Sequence, residues 1–599
     1  MGLGIEDHGV IGDLNIVALV GIDGSVDFMC FPDFDSPTIF GALLDEKNGG
    51  VFRISPLLEH PHHKQIYLSD TNVLFTRFLS ADGVAEISDF MPVASLGHGN
   101  TLVRRAKTVR GEIRFRISCA PAFNYGRSPH RVETTADGVR FVSDDLALLL
   151  RSSVPLREDH GAAVGEFTLG AGEIASFVLE QLTEETGSLT AGGHYIITSF
   201  KETVNYWRRW LGMSRYRGRW RETVNRSALV LKLLTHQRHG SIVASPTFGL
   251  PETLGGTRNW DYRYTWIRDA SFTLYALIRL GFTEEARSFM TWLEARCDDL
   301  APDATLPVMY RLNGGRDLAE QELSHWKGYQ GSRPVRIGNA ASMQTQLDIY
   351  GELMDAVYLY DKHGERIAYD FWRNLERLID WVCRNWNTPD DGIWEVRGGQ
   401  QQFLYSKFMC WVALDRGIRL AHKRSFPAPV DRWVAVRDEI YREIMQHYWD
   451  DGQKTFTQCK HTSGLDASHL LMPLVRFISP TDPRWLSTLA AIEQNLIDDS
   501  HVYRYDTSRA APDGVGGKEG TFCMCTFWYV EALARSGDLD KARFIFEKIL
   551  GYANHLGLFA EELGPSGGFL GNFPQAFTHV SLISAAFDLH RRLDDARKD

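Results

Sequence analysis

The sequence predicts a two-domain protein, an N-terminal antiparallel β-sandwich followed by a C-terminal all-α (α/α)6 barrel. Three observations carry this reading. Asp-Gly turns recur through the first part, the hydrophobic period changes from two to 3.6 near residue 198, and short and long connections alternate through the second part. At 599 residues the chain is too long for one ordinary core. The expected division is 1–195 for the sandwich, 196–218 for a linker helix region and 219–599 for the barrel.

In the first part, short runs of β-branched and aromatic residues are separated by turn signals. NIVALVGIDGSVDFMCF, TRFLSADGVAEISDF and RVETTADGVRFVSDD each read as a hairpin turning at Asp-Gly, a dipeptide that tolerates the positive φ angles of tight hairpin turns. Successive hairpins of this kind build antiparallel sheets that bury one face against another. The linker helix is expected in TSFKETVNYWRRWLG, where apolar residues first recur at helical spacing. Twelve further helices are predicted near 219–235, 268–281, 283–298, 341–364, 367–386, 404–425, 430–450, 463–478, 483–497, 521–537, 538–553 and 577–597, which makes six pairs. Connections such as Gly281-Phe282 and the region of Gly364 are short, whereas the alternate ones are long and rich in Gly, Trp, Arg and acids. Closing six antiparallel pairs into a ring gathers the long loops on one face, where scaffolds carry their sites. A helical-repeat solenoid would need a fixed period with repeated residues, and the sequence has neither.

Composition narrows the class of partner. With 44% hydrophobic and 24% charged residues the chain is an ordinary globular protein. Its net charge of −11, without a basic run, argues against nucleic acid and suits a neutral substrate. The eight cysteines are sparse and mostly lie in apolar runs such as FMCF and WVCRNW, the pattern of buried reduced thiols. Cys523 and Cys525 lack a second pair at zinc-finger spacing and no HExxH is present, so neither a metal nor a cofactor is expected. MGLGIEDHGVIGD lacks the basic and apolar regions of a secretory signal, and no apolar stretch reaches about 18 residues. The expectation is a cytoplasmic protein without membrane contact; the sequence leaves its oligomeric state open.

The long loops hold the chemistry. GGTRNWDYRYTWIRDASFTLYAL places Trp260, Asp261, Tyr262, Tyr264, Trp266, Arg268 and Asp269 ahead of an apolar helix. Aromatic rings beside a fixed Arg and Asp suit a sugar, whose C–H faces stack on rings while its hydroxyls need paired donors and acceptors. DDGIWEVRGGQQQFLYSKFMCW puts Glu395 beside Trp394; a carboxyl next to an indole is partly desolvated, which suits a general acid. NHLGLFAEELGPSGGFLGNFPQAFTH offers Glu561 and Glu562, and Glu519 in APDGVGGKEGTFCMC is a rival to Glu561. Glycosidic cleavage needs two carboxyl groups flanking the scissile bond, and Glu395 and Glu561 come from different loops, as that geometry requires. The glycines of APDGVGGKEG neither follow a strand nor spell GxxxxGK[ST], and no GxSxG elbow or βαβ alternation is present, so phosphate-loop, serine-nucleophile and nicotinamide chemistry drop out.

Taken together, DYRYTWIRD, GSRPVRIGNAA, DGIWEVRGG with FLYSKFMCWVALDR, and GLFAEELGPSGGFLGNFPQAF resemble the motifs of glycoside hydrolase family 15. IEDHGVIGDLNIVALVGIDGSVDFMCFPDFDSPTIFGALLD is similar to its bacterial members, so the resemblance covers nearly the whole chain. It implies glucoamylases, glucodextranases or trehalases, a β-sandwich joined to an (α/α)6 barrel by a helical linker, and inversion by two glutamates without a cofactor. On this chain it implies Glu395 as general acid and Glu561 as general base. Tyr262, Trp266, Arg268 and Asp269 would line the subsite of the non-reducing glucose, Trp394 would flank the acid, and Arg336 would be a further substrate contact. Two departures touch the second sugar's subsite: fungal glucoamylases have a carboxylate where this chain has Val396, and Gln where it has Glu562. No C-terminal starch-binding module is expected, since the predicted helices run almost to Asp599.

The expected reaction is a single displacement releasing β-glucose, with the two carboxyl groups roughly 6.5–9.5 Å apart. A small carbohydrate is the expected partner, trehalose ahead of maltooligosaccharides. The alternatives are a non-catalytic carbohydrate-binding protein and a phosphorylase.

Overall fold

The computed structural model describes residues 2–93, 100–182, 193–300 and 305–598. Its N-terminal part holds two eight-stranded antiparallel sheets. The first has the order β1 (His8–Gly12), β2 (Val17–Gly21), β3 (Ser25–Cys30), β5 (Val51–Pro56), β10 (Ile113–Ala120), β15 (Ala162–Leu169), β14 (Arg157–Asp159), with β4 (Thr38–Phe40) beside β3, and the second has the order β11 (Arg131–Thr135), β12 (Gly138–Val142), β13 (Ala147–Ser152), β16 (Ile174–Gln181), β9 (Thr101–Arg110), β8 (Val84–Phe90), β7 (Leu74–Leu79), β6 (His62–Tyr67). They run from β1 (His8–Gly12) to β16 (Ile174–Gln181). The three Asp-Gly hairpins are present as β2 (Val17–Gly21) with β3 (Ser25–Cys30), β7 (Leu74–Leu79) with β8 (Val84–Phe90), and β11 (Arg131–Thr135) with β12 (Gly138–Val142). Alternate residues of β10 (Ile113–Ala120) are buried, the pattern of a strand with one face on a core. The sheets share that core and are pinned by Arg104 of β9 (Thr101–Arg110), which is wholly buried. It pairs with Asp89 at 2.7 Å and donates to the carbonyls of Phe52 and Gly24 in the other sheet. A buried cation is tolerable only with such full satisfaction.

Helix α2 (Gly193–Gly212) joins the sheets to the helical part. Eleven α-helices follow it among the described residues, in place of the expected twelve. The inner ones are α4 (Ile267–Leu280), α6 (Asp348–His363), α8 (Leu404–Arg424), α11 (Cys523–Ser536) and α13 (Ala576–Asp595), buried along most of their length. Around them α7 (Tyr369–Asn385) buries Phe371, Trp372, Leu375, Leu378, Ile379 and Val382 on a single face, the spacing of a helix with one wet side. The inner elements touch in a closed order, α4-α6-α8, then the short turn Ala467–Leu471, then α11-α13 and back to α4.

That short turn corrects the helix expected at 463–478. Residues Ala467–Leu471 form a 3-10 turn and the chain then leaves helical geometry, because Pro473 supplies no N–H and Arg476 adopts a positive φ of 66°. The helix expected from 341 begins only at Asp348; Ala340–Met343 is a 3-10 turn, and the residues after it serve the loop face.

The sheet half braces the loops of the helical half. Arg263, fully buried and paired with Asp261 at 2.7 Å, donates to the Ser36 carbonyl and the Tyr125 hydroxyl. Asn554 donates to the carbonyls of Glu6 and His8. Of the eight cysteines, all free, seven are buried and Cys383 is half-buried. None of the described helices is long and apolar enough to cross a membrane.

Candidate active site

One cavity opens where the loops preceding α4, α6, α8, α11 and α13 meet. Its deep wall is the first turn of α4. Arg268 is buried there, held by Gln346 at 2.9 Å and lying 3.4 Å from Asp269 and 3.5 Å from Asp348. Burial pushes Asp269 up to about 6 against the opposing pull of Arg268, and its Oδ2 has no hydrogen-bond partner among the described residues. That oxygen faces Arg268 at 3.4 Å without a hydrogen bond, so this buried acceptor can still take a donor.

Glu395 projects from the loop before α8. Its backbone has φ of 58°, a left-handed conformation that is costly for a residue with a Cβ and collects at functional positions. Gln344 holds the loop by donating to the carbonyls of Glu395 and Val396. The side chain is one-fifth exposed, and three donors converge on its Oε1: the Trp266 indole at 2.6 Å, Arg268 at 3.1 Å and Gln346 at 3.3 Å. None of these bonds involves Oε2.

The indole hydrogen-bonded to this carboxyl is therefore that of Trp266, not that of the adjacent Trp394. Trp394 lines the cavity with its N–H turned onto both oxygens of Asp466, at 2.9 and 3.0 Å. Successive side chains along a chain diverge, so adjacency in sequence does not make contact in space.

Glu561 faces the same cavity from the segment before α13 and is 1% exposed. Its Oε2 accepts the backbone N–H of Asn572 at 3.1 Å, and Tyr262 also hydrogen-bonds its carboxyl. Gly571 makes room: with φ of 71°, a Cβ there would stand 2.4 Å from that oxygen. Burial, and then the charge of Glu252, push Glu561 up to about 8. A carboxylate so placed takes up a proton readily, the property wanted of a base. Tyr262 packs edge-on to Trp266, with centroids 5.5 Å apart, and burial and Glu561 drive its hydroxyl well above the usual range.

Glu252, not anticipated from the sequence, also lines the cavity. It accepts the Trp260 indole N–H at 2.8 Å and Arg504 at 3.3 Å, and burial raises its carboxyl. Glu252, Glu561 and Glu562 each bring one oxygen within 4.8 Å of the others, a donor set of the type that hard divalent cations take. Two guanidiniums already supply positive charge there, since Arg504 lies 3.3 Å and Arg258 3.6 Å from Glu252, and Arg504 also binds Glu519 at 2.5 Å. Glu519 is thus tied to Arg504, and Glu562 accepts the N–H of Gly520 at 2.7 Å; neither lines the cavity. Burial also pushes the Glu562 carboxyl well above its usual range.

Arg336 does not line the cavity either. Its guanidinium lies over the Trp260 ring, donates to the Thr257 carbonyl and stands 3.4 Å from Glu320. Asp261 and Tyr264, from the same aromatic loop as Trp266, are buried away from the cavity, Asp261 as the partner of Arg263.

Glu395, Glu561, an Arg-Asp pair and several aromatic rings thus line one cavity, the kind of lining that a carbohydrate-cleaving site needs. The model for "Glycosyl hydrolases family 15" matches residues 218–587, and the chain belongs to that family. A model for a "Trehalase-like, N-terminal" domain matches residues 2–156. The chain is 36% identical to a trehalase of Thermoplasma volcanium, over 98% of this chain and 94% of that protein. It is 37% identical to a trehalase of Mycobacterium tuberculosis, over 99% and 90% respectively. Among solved structures it is similar in fold to a bacterial glucoamylase complexed with acarbose, with a TM-score of 0.74 and 13% identity over 98% of this chain and 96% of that one.

Proposed function

We propose that this chain is an inverting, exo-acting trehalase that hydrolyses trehalose to two glucose molecules. The observation that carries the chemistry is that Glu395 and Glu561, from separate loops, face one cavity whose deep wall is the Trp266, Arg268 and Asp269 cluster. The trehalases named above, similar over nearly the whole length of this chain, support the choice of substrate.

In this reading Arg268, Asp269 and Tyr262 grip the non-reducing glucose and Trp266 packs against it, closing the far end so that one terminal unit is removed at a time. Protonated Glu395 gives its proton to the glycosidic oxygen as the C1–O bond breaks. Glu561 takes a proton from a water that attacks C1 from the opposite face, so the newly cleaved sugar leaves as β-glucose. The sheets and helices are read as a β-sandwich and an (α/α)6 barrel, the closed order of the inner elements supporting the latter, with a division at 1–195, 196–218 and 219–599.

Proton NMR with trehalose and, separately, maltotriose tests this by following the anomeric signal of released glucose. Prompt β-anomer from trehalose is the expected result. Activity on maltotriose alone would reassign the chain as a glucoamylase. Because the leaving glucose of trehalose keeps its α configuration, inversion gives equal α- and β-glucose there, and α-glucose alone from trehalose, or newly released α-glucose from maltotriose, would overturn the two-glutamate inversion.

A further inference from the structure

The cavity has a deep end and a rim. Arg268 and Asp269 are buried, whereas elsewhere in the lining Trp260 is half-buried and Arg397 is exposed, which puts those two towards solvent. In the proposed reading a sugar seated on Arg268 and Asp269 would have its glycosidic bond near Glu395 and Glu561, and a second sugar would extend towards solvent, where Trp260 stands.

That ring is held with unusual completeness for a rim residue. Its indole N–H donates to Glu252 at 2.8 Å and its carbonyl accepts from Asn572 at 3.1 Å. Two guanidiniums lie over it, Arg336 at 4.9 Å and Arg397 at 4.4 Å from the centroid. Both arginines are fixed in turn by Glu320, which accepts from Arg397 at 2.7 and 3.1 Å and lies 3.4 Å from Arg336. Three separate loops, carrying Trp260, Glu320 with Arg336, and Arg397, are thereby tied into one block at the mouth. Guanidiniums are attracted to an indole face, and a ring anchored at its N–H as well cannot swing aside to admit a longer chain.

Building on the trehalase reading, we propose that Trp260 determines specificity, packing against the second sugar and closing the cavity behind it so that the substrate is limited to two units. Arg336 acts through Trp260 as a positioning residue.

The test compares kcat and KM for trehalose and maltotriose in wild type, Trp260→Ala, Arg336→Ala and Arg336→Lys, with circular dichroism and thermal midpoint as the check on folding. The ratio of kcat/KM for maltotriose to that for trehalose is expected to rise at least tenfold on the Trp260 change and about threefold on Arg336→Ala, mostly through KM, and to return towards wild type in Arg336→Lys. A ratio within twofold of wild type in folded Arg336→Ala and Trp260→Ala proteins would overturn the proposal, as would equal losses on both substrates. Should Trp260→Ala fail to fold, the Arg336 pair decides alone. Wild-type protein inactive on trehalose would overturn the underlying function as well, which separates the two failures.

Discussion

The inner helices enclose a cavity at each end, and the two differ in how their charges are settled. Towards the C-terminal turns of α4, α6, α8, α11 and α13 lies a cavity of about 220 Å³. Three of the four acids lining it are paired: Asp355 with Arg416 at 2.5 Å, Glu531 with Arg535 at 2.7 Å, and Asp588 with Arg591 at 2.5 Å. Its cations also answer the negative ends of the helix dipoles. The cavity lined by Glu395 and Glu561 is smaller, about 80 Å³, yet there burial and mutual repulsion raise Asp269, Glu252 and Glu561 together. The lesson is that chemistry gathers where carboxyl groups crowd faster than cations neutralise them, rather than where the space is largest.

The strongest way to break this comparison is to neutralise one carboxyl at the end proposed to be catalytic. Glu395→Gln and Glu561→Gln should each lower kcat on trehalose by roughly 10³-fold. Their thermal midpoints should stay within about 2 °C of wild type. Retained turnover in either variant would remove that residue from its role.

At the other end the prediction inverts. Asp588→Ala strips a buried acceptor from Arg535, Arg591 and Arg592, and should cost about 3 kcal/mol in denaturant unfolding while leaving kcat of the folded enzyme within about twofold. A loss of kcat without loss of stability would mean that this end takes part in the reaction.

A finer measurement is the pH profile. In the proposed mechanism Glu561 must be ionised to act as base, so the acid limb of kcat/KM should follow its raised pKa, and the charge of Glu252 is one cause of that rise. Glu252→Gln should move the acid limb to lower pH, giving relatively more activity on the acid side. An unmoved limb would show that another group sets it.

The smallest expected effect is at Trp394. Replacing it by Phe removes the indole N–H bonds to Asp466, and one such hydrogen bond is worth about 1 kcal/mol, so KM for trehalose should rise about threefold to fivefold.

Much of this could be read from local pattern. Asp-Gly between period-two runs encodes hairpins, and apolar residues at helical spacing encode α7 and α8, because both signals act over a few residues. The failed helix at 463–478 was legible too: Pro473 sits inside the apolar run and removes a helical N–H. Glu395 and Glu561 stood out because each lies among glycines and aromatics in a long loop. Glu252 and Arg397 carried no such mark; they line the cavity because loops distant in sequence meet there.

What the sequence by itself determined was therefore the order of elements, the division into a sheet half and a helical half, and the loops in which the carboxyl groups lie. What only the tertiary structure decided was which group touches which. The indole on Glu395 comes from a residue 129 positions away, and Arg504 meets Glu252 across 252 positions. Arg336 is turned onto a tryptophan rather than into the cavity. Spacing along the chain governs hydrogen bonds within a helix or hairpin, but the direction of a loop side chain depends on the packing of elements that are distant in sequence.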